Sequence, residues 1–313
     1  MNVKSLSNHS LSFRTKMASS IQSNGPHSTG LSSISSSNGL NPACPDGKHI
    51  EVWPSKDEKE LYEVTKSGNQ VPLRFVAEKI IGEGGFGIVY LGHRQIWMRK
   101  YNQWACYSER EAIKVLDNPE SDHEKNKRIE AELIVHKALK NNENIVKPKR
   151  TIEFFKPGSE RIRKCSLLIM EYCEMGDLRQ YLRNSSTGSI ISEELAHTIT
   201  YGVLKGLDVL LSKEYFHRDI KDSNIFVTKD NVFKLGDFGL IANKANRNKI
   251  ECGTPTFMAP EMNGKDYYDE KVDVWSLGIL LFKLLFGEHP FHHNNNDEIR
   301  KRARNDSLKF PSK

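Results

Sequence analysis

At 313 residues, with 37% hydrophobic and 27% charged residues, the chain has the composition of a soluble globular protein large enough for two lobes. The net charge of +6 is too mild to argue for a nucleic-acid-binding fold, and no apolar run approaches the roughly 20 residues that span a bilayer. Five cysteines without C-x-x-C spacing or a secretory leader suit a reducing compartment, so a location in cytoplasm and/or nucleus is expected.

Residues 1–50 are rich in Ser, Asn and Gly and lack apolar periodicity, which predicts a disordered tail. Arg14 and Lys16 among serines also suit a transit peptide, but an Arg-rich amphipathic pattern is missing. Folded sequence is expected to begin between Glu51 and Phe75. Short β-like runs follow at Phe75–Ile81, Gly87–Leu91, Glu111–Leu116, Val146–Phe154 and Cys165–Met170. One helical pattern interrupts them around His123–Lys140, where Ile129, Leu133, His136 and Leu139 recur at helical spacing. Beyond Met170 helices dominate: Asp177–Arg183, Ser192–Ser212, Val272–Phe286 and a short polar one at Asp297–Asn305. The expected fold is therefore α+β and two-lobed, a β-rich N-lobe over about 73–170 and a helical C-lobe over about 177–313.

The run IGEGGFGIVY, from Ile81 to Tyr90, holds G-x-G-x-x-G at Gly82, Gly84 and Gly87. Glycines let backbone approach phosphate oxygens closely. A Rossmann turn has the same spelling but opens a helix, whereas Gly87 runs into β-branched residues, which predicts a strand–loop–strand hairpin. Downstream, Lys114 stands in the apolar run EAIKVL, where an ammonium needs a counter-charge, a phosphate, or an edge facing water. Glu132 is the preferred partner because it falls within the apolar stripe of the helix; Glu130 is the alternative.

The sequence FHRDIKDSNI, from Phe216 to Ile225, spells H-R-D-x-x-x-x-N at His217, Arg218, Asp219 and Asn224. D-F-G follows at Asp237–Gly239, G-T-P at Gly253–Pro255 and A-P-E at Ala259–Glu261. In this order the motifs resemble the protein kinase family, Ser/Thr class, over about Phe75 to Pro311. The wording around Cys252–Pro255 and Asn224–Phe226 is similar to that of polo-like and NIMA-related kinases.

That resemblance implies an ATP-dependent protein serine/threonine kinase, with ATP and Mg²⁺ as its small-molecule requirements and proteins as its substrates. It makes Asp219 the base and Lys221 the neutraliser of the γ-phosphate. Lys114 holds the α/β-phosphates, braced by Glu132. Asn224 and Asp237 are the implied Mg²⁺ ligands. Ile81, Gly82, Gly84, Gly87, Val89 and Ala112 would enclose the nucleotide. Met170 would sit beside adenine, and Glu171 and Cys173 would contact it through backbone. Asp177 reaches the ribose or caps the following helix. Thr254 is expected to touch Asp219 and Lys221, and Asp273 to brace the catalytic loop.

Three departures from the family stand out. Gly87 and Lys114 are 27 positions apart, longer than a compact hairpin of the family. The extra piece, Gln95–Arg110, is aromatic and basic; it reads as a surface loop or as a docking point for a partner. The stretch 240–252 contains no Ser, Thr or Tyr, so activation is expected without phosphorylation there, with Glu251 lending its charge to Arg218 or nearby bases. Finally, the C-lobe is expected to lack the family's closing helices, leaving Glu261 without an arginine partner.

Overall fold

The computed structural model describes residues 40–41, 52–53, 61–64, 70–85, 87–118, 123–139, 142–157, 162–185, 190–245, 249–262 and 266–311. Most of the expected tail lies outside these residues. Within it, β1 (Leu40–Asn41) pairs with Tyr107 and Cys106.

An all-antiparallel sheet forms the first lobe. Its strands are β1, β2 (Val52–Trp53), β3 (Leu61–Val64), β4 (Gln70–Gly84), β5 (Gly87–Met98), β6 (Gln103–Asn118), β7 (Pro148–Pro157) and β8 (Ile162–Glu171). The main order is β2-β4-β5-β6-β8-β7, with β1 on β6 and β3 on β4. The β-like runs of the sequence fall inside strands, except that Val146 and Lys147 precede β7. The underside packs Leu73, Phe75, Ala77, Tyr90, Ile113, Ile152, Leu167 and Ile169, alternate positions that share one face of a pleated sheet. Helix α1 (His123–Ala138) lies against β6 and β7, burying Ile129, Glu132, Leu133, Val135 and His136.

The aromatic-basic piece is no loop. It continues β5 and β6 as a hairpin, with Gln95 opposite Cys106, Ile96 opposite Ala105, Trp97 opposite Trp104 and Met98 opposite Gln103. The register shifts between His93 and Gln95, so a bulge takes up two residues of β6. The Trp97 and Trp104 rings meet edge to face at 5.5 Å, and the Arg74 guanidinium lies 4.2 Å from the Trp104 centroid. Cross-strand pairs of this kind stabilise a ladder that a plain loop would lack. Cys106 is disulfide-bonded, whereas Cys165, Cys173 and Cys252 take no part in a disulfide.

The second lobe carries α2 (Leu178–Asn184), α3 (Glu193–Ser212), β9 (Tyr215–Phe216), β10 (Ile225–Val227), β11 (Phe233–Leu235), β12 (Ala242–Asn243), α4 (Lys271–Phe286) and α5 (Asn296–Asn305). Helix α3 starts where the Ser192 hydroxyl accepts from Leu195 N at 3.2 Å, with Glu193 and Glu194 in its first turn. Its buried stripe (Ala196, Ile199, Val203, Leu207, Leu210) joins Leu277, Ile279, Leu280 and Leu284 of α4 in the main core. Helix α4 ends at Gly287, whose φ of 76° suits glycine.

The two lobes are pinned beside the site. Val146 N donates to Leu235 O (2.8 Å), Leu235 N to Asn144 O (2.8 Å) and Asn144 Nδ2 to Phe233 O (3.0 Å). The segment after α1 is thus held on β11, two residues before Asp237. Among the described residues no helix is long and apolar enough to cross a membrane.

Candidate active site

Strands β4 and β5 form the hairpin predicted for the glycine run, with Gly84 opposite Gly87. The glycines differ in what they require. Gly87 has φ of +128°, and a Cβ there would run into the Val115 carbonyl oxygen. A Cβ at Gly84 would meet nothing within 4 Å, and one at Gly82 would reach only Val89, at 3.6 Å. Open space above Gly82 and Gly84 is room for a ligand rather than a packing need.

Below this hairpin, Lys114 Nζ donates to Glu132 Oε1 at 2.6 Å and to Asp237 Oδ1 at 2.9 Å. The structure therefore brings together Lys114 of β6, Glu132 of α1 and Asp237 of the D-F-G turn; Glu130 is exposed. Burial alone would push Lys114 down, but the carboxylates of Asp237 and Glu132 outweigh it and hold the ammonium above its ordinary value. Burial likewise pushes Glu132 and Asp237 up, and Lys114 outweighs it, so both carboxyls sit below theirs. Asp237 has φ of +57°.

One apolar cluster packs beside this triad. Ala112, Met170 and Cys173 are buried in it with Leu168, and Ile81, Val89 and Phe226 pack against it. Phe226, from β10, was not among the residues expected to enclose the nucleotide; its position two residues after Asn224 was the available signal. Glu171 ends β8, its Oε1 accepting from Lys147 N at 2.6 Å and pairing with Lys234 at 3.0 Å. Asp177 caps α2, Oδ1 accepting from Gln180 N at 2.8 Å.

The catalytic-loop motif is held from several sides. Asp273, near the start of α4, accepts from His217 N (2.6 Å) and Arg218 N (2.7 Å) through its two oxygens. Asp219 is buried, and its carboxylate gathers three donors: Thr254 Oγ1 at 2.7 Å, Lys221 Nζ at 2.8 Å and Asn224 Nδ2 at 3.0 Å. Lys221 also donates to Thr254 Oγ1 at 2.8 Å. Asn224 turns its amide NH₂ toward Asp219, which directs its side-chain oxygen away from that carboxylate.

Of the partners expected for Glu251, the structure shows a nearby base, Arg300 of α5. Arg218 donates to Leu240 O (2.6 Å), Ile241 O (3.4 Å) and the Tyr268 hydroxyl (3.2 Å). Glu261 forms no ion pair among the described residues and lines a cleft of about 530 Å³ with Lys244, Tyr267 and Tyr268.

The protein kinase domain description matches residues 75–312, which covers all of this geometry. The chain belongs to the protein kinase family. Similar proteins include an Aurora kinase of Saccharomyces cerevisiae, 33% identical over 242 residues, covering 76% of this chain and 60% of that protein. The serine/threonine-protein kinase ATG1a of Arabidopsis thaliana is 36% identical over 150 residues, 46% of this chain and 24% of its own. The serine/threonine-protein kinase KIC1 of Saccharomyces cerevisiae is 35% identical over 222 residues, 69% of this chain and 18% of its own. The kinase domain described here thus spans 60% of the Aurora kinase and a smaller share of the other two.

Proposed function

We propose that this chain transfers the γ-phosphoryl group of ATP to Ser/Thr hydroxyls of protein substrates. The observation that carries the reading is the Asp219 carboxylate, fixed by Thr254, Lys221 and Asn224. Phosphoryl transfer needs alignment and charge neutralisation more than covalent help. In this reading Asp219 accepts the substrate hydroxyl proton while the new O–P bond forms and the bond to the β-phosphate oxygen breaks. Lys221 neutralises the γ-phosphate, and Lys114, oriented by Glu132, contacts the α/β-phosphates. Ile81, Val89, Ala112, Met170, Cys173 and Phe226 line the base pocket, with backbone of Glu171 and Cys173 toward its edge. The open faces of Gly82 and Gly84 accommodate the phosphates.

The donor set suits Mg²⁺: the outward Asn224 oxygen and the Asp237 carboxylate are hard ligands. When bound, the metal neutralises charge on the phosphate oxygens. The finer likeness to polo-like and NIMA-related kinases rests on residues 252–255 and 224–226. The hairpin around Trp97 and Trp104 is the surface we assign to a protein partner, with its aromatic and basic side chains as the reason. Incubation with γ-labelled ATP, Mg²⁺ and a generic protein tests the main reading. Phosphoserine or phosphothreonine in the acid hydrolysate is expected; its absence with the folded full chain would overturn the assignment.

A further inference from the structure

Arg218 is a buried cation in an unusual backbone conformation, with φ of +71°. Side-chain interactions fix that conformation, and one of them reaches the activation segment. The Tyr268 hydroxyl accepts from Arg218 Nη1 at 3.2 Å and donates to the Ile250 carbonyl at 2.6 Å. Ile250 lies four residues before Thr254, which holds Asp219. A single hydroxyl therefore links the catalytic loop to the end of the segment that supplies Thr254.

The phenol is itself well anchored. It is 7% exposed and packs edge-on against Phe216 at 6.3 Å and 89°. Phe216 pairs in turn with Ala242, at the start of the activation segment. Tyr268 lies three residues before α4, whose Asp273 grips the backbone of His217 and Arg218. The same short stretch, 268–273, thus holds the backbone and the side chain of Arg218 together.

We propose that Tyr268 is a positioning residue whose hydroxyl ties Ile250 to Arg218, ordering the activation segment without phosphorylation. This rests on the kinase reading above. The segment 240–252 offers no hydroxyl to phosphorylate, and its one nearby acidic side chain, Glu251, is engaged by Arg300. A phosphate would supply a removable charge to the arginine; the phenol supplies a permanent, uncharged hydrogen-bond acceptor. Burial, then the neighbouring Cys252, pushes the phenol up to about 12, so it keeps its proton across physiological pH.

The test uses the full chain as wild type, Tyr268→Phe, Arg218→Met and the double variant. Phenylalanine keeps the contact with Phe216 and deletes only the hydroxyl. Amide exchange across 250–254 and 217–219 is expected to quicken about tenfold in Tyr268→Phe, with a similar fall in kcat and no change in KM for ATP. In the Arg218→Met background the same change is expected to add little, because both residues act through one link. Phosphatase treatment is expected to leave wild-type activity unaltered. Unchanged exchange in Tyr268→Phe, effects that multiply in the double variant, or activity lost to phosphatase would each overturn the proposal. The exchange measurements report on Tyr268 even if no phosphoryl transfer is seen, so the two readings fail separately.

Discussion

Lys114 and Glu132 are buried to 5% and 1% exposure, and each depends on the other's charge. Replacing Glu132 by Gln leaves the ammonium with Asp237 as its named carboxylate partner and is expected to destabilise the fold by about 3 kcal/mol. Urea unfolding at neutral pH measures that cost, and KM for ATP is expected to rise with it. His136, one helical turn further on, is a different case. Among the described residues neither ring nitrogen has a hydrogen-bond partner, its Nε2 stands 3.9 Å from Glu132, and its ring packs edge-on against Phe238 at 5.0 Å. An unsatisfied buried imidazole costs about 1–3 kcal/mol, so His136→Leu is expected to raise the melting temperature or leave it unchanged. A clear drop would show that the imidazole has a role that packing does not reveal. At this scale the sequence was legible where partners follow helical periodicity: the apolar stripe singled out Glu132 over Glu130. It was not legible where partners are backbone carbonyls. Nothing in the spelling announces Leu240 and Ile241 as partners of Arg218, or Ile250 as the partner of Tyr268.

The glycine hairpin separates folding needs from binding needs. Gly87→Ala forces a Cβ onto Val115 at a φ of +128° and is expected to destabilise by more than about 1 kcal/mol. Gly84→Ala meets open space, so thermal stability should be nearly unchanged while KM for ATP rises several-fold. Equal losses of stability in both variants would contradict this division. Elements were legible in kind and roughly in position, since β-branched runs and 3.6-residue stripes mark strands and helices directly. Strand ends were not, because pairing partners decide how far a ladder continues. The stretch Gln95–Arg110 shows why: its meaning lies in Trp97 facing Trp104 across the hairpin, a relation invisible along one strand. Trp97→Ala is accordingly expected to cost about 1 kcal/mol, read by differential scanning, rather than nothing as for a loop residue.

Across the whole molecule, the triad couples both lobes and so sets a pH window. Glu132 and Asp237 lie below their ordinary values of 4.5 and 3.8, so their stabilisation is present above those values and is lost as pH falls through the lower folded ones. Lys114 lies above its ordinary 10.5, so its contribution is present below that value and fades as pH rises through the higher folded one. Stability in EDTA is therefore expected to plateau between about pH 5 and about pH 10 and to fall on both sides. The two-lobed plan and the motif order were readable from residues 75–312 alone, while the clasp between them, Asn144 and Val146 on β11, emerged only from the fold. All of it converges on the Asp219 carboxylate. The direct test is single-turnover transfer of labelled phosphate by wild type and Asp219→Asn at saturating ATP. A fall of about a hundredfold or more with nucleotide affinity within about twofold is the predicted result; equal transfer rates for the two proteins would contradict the account.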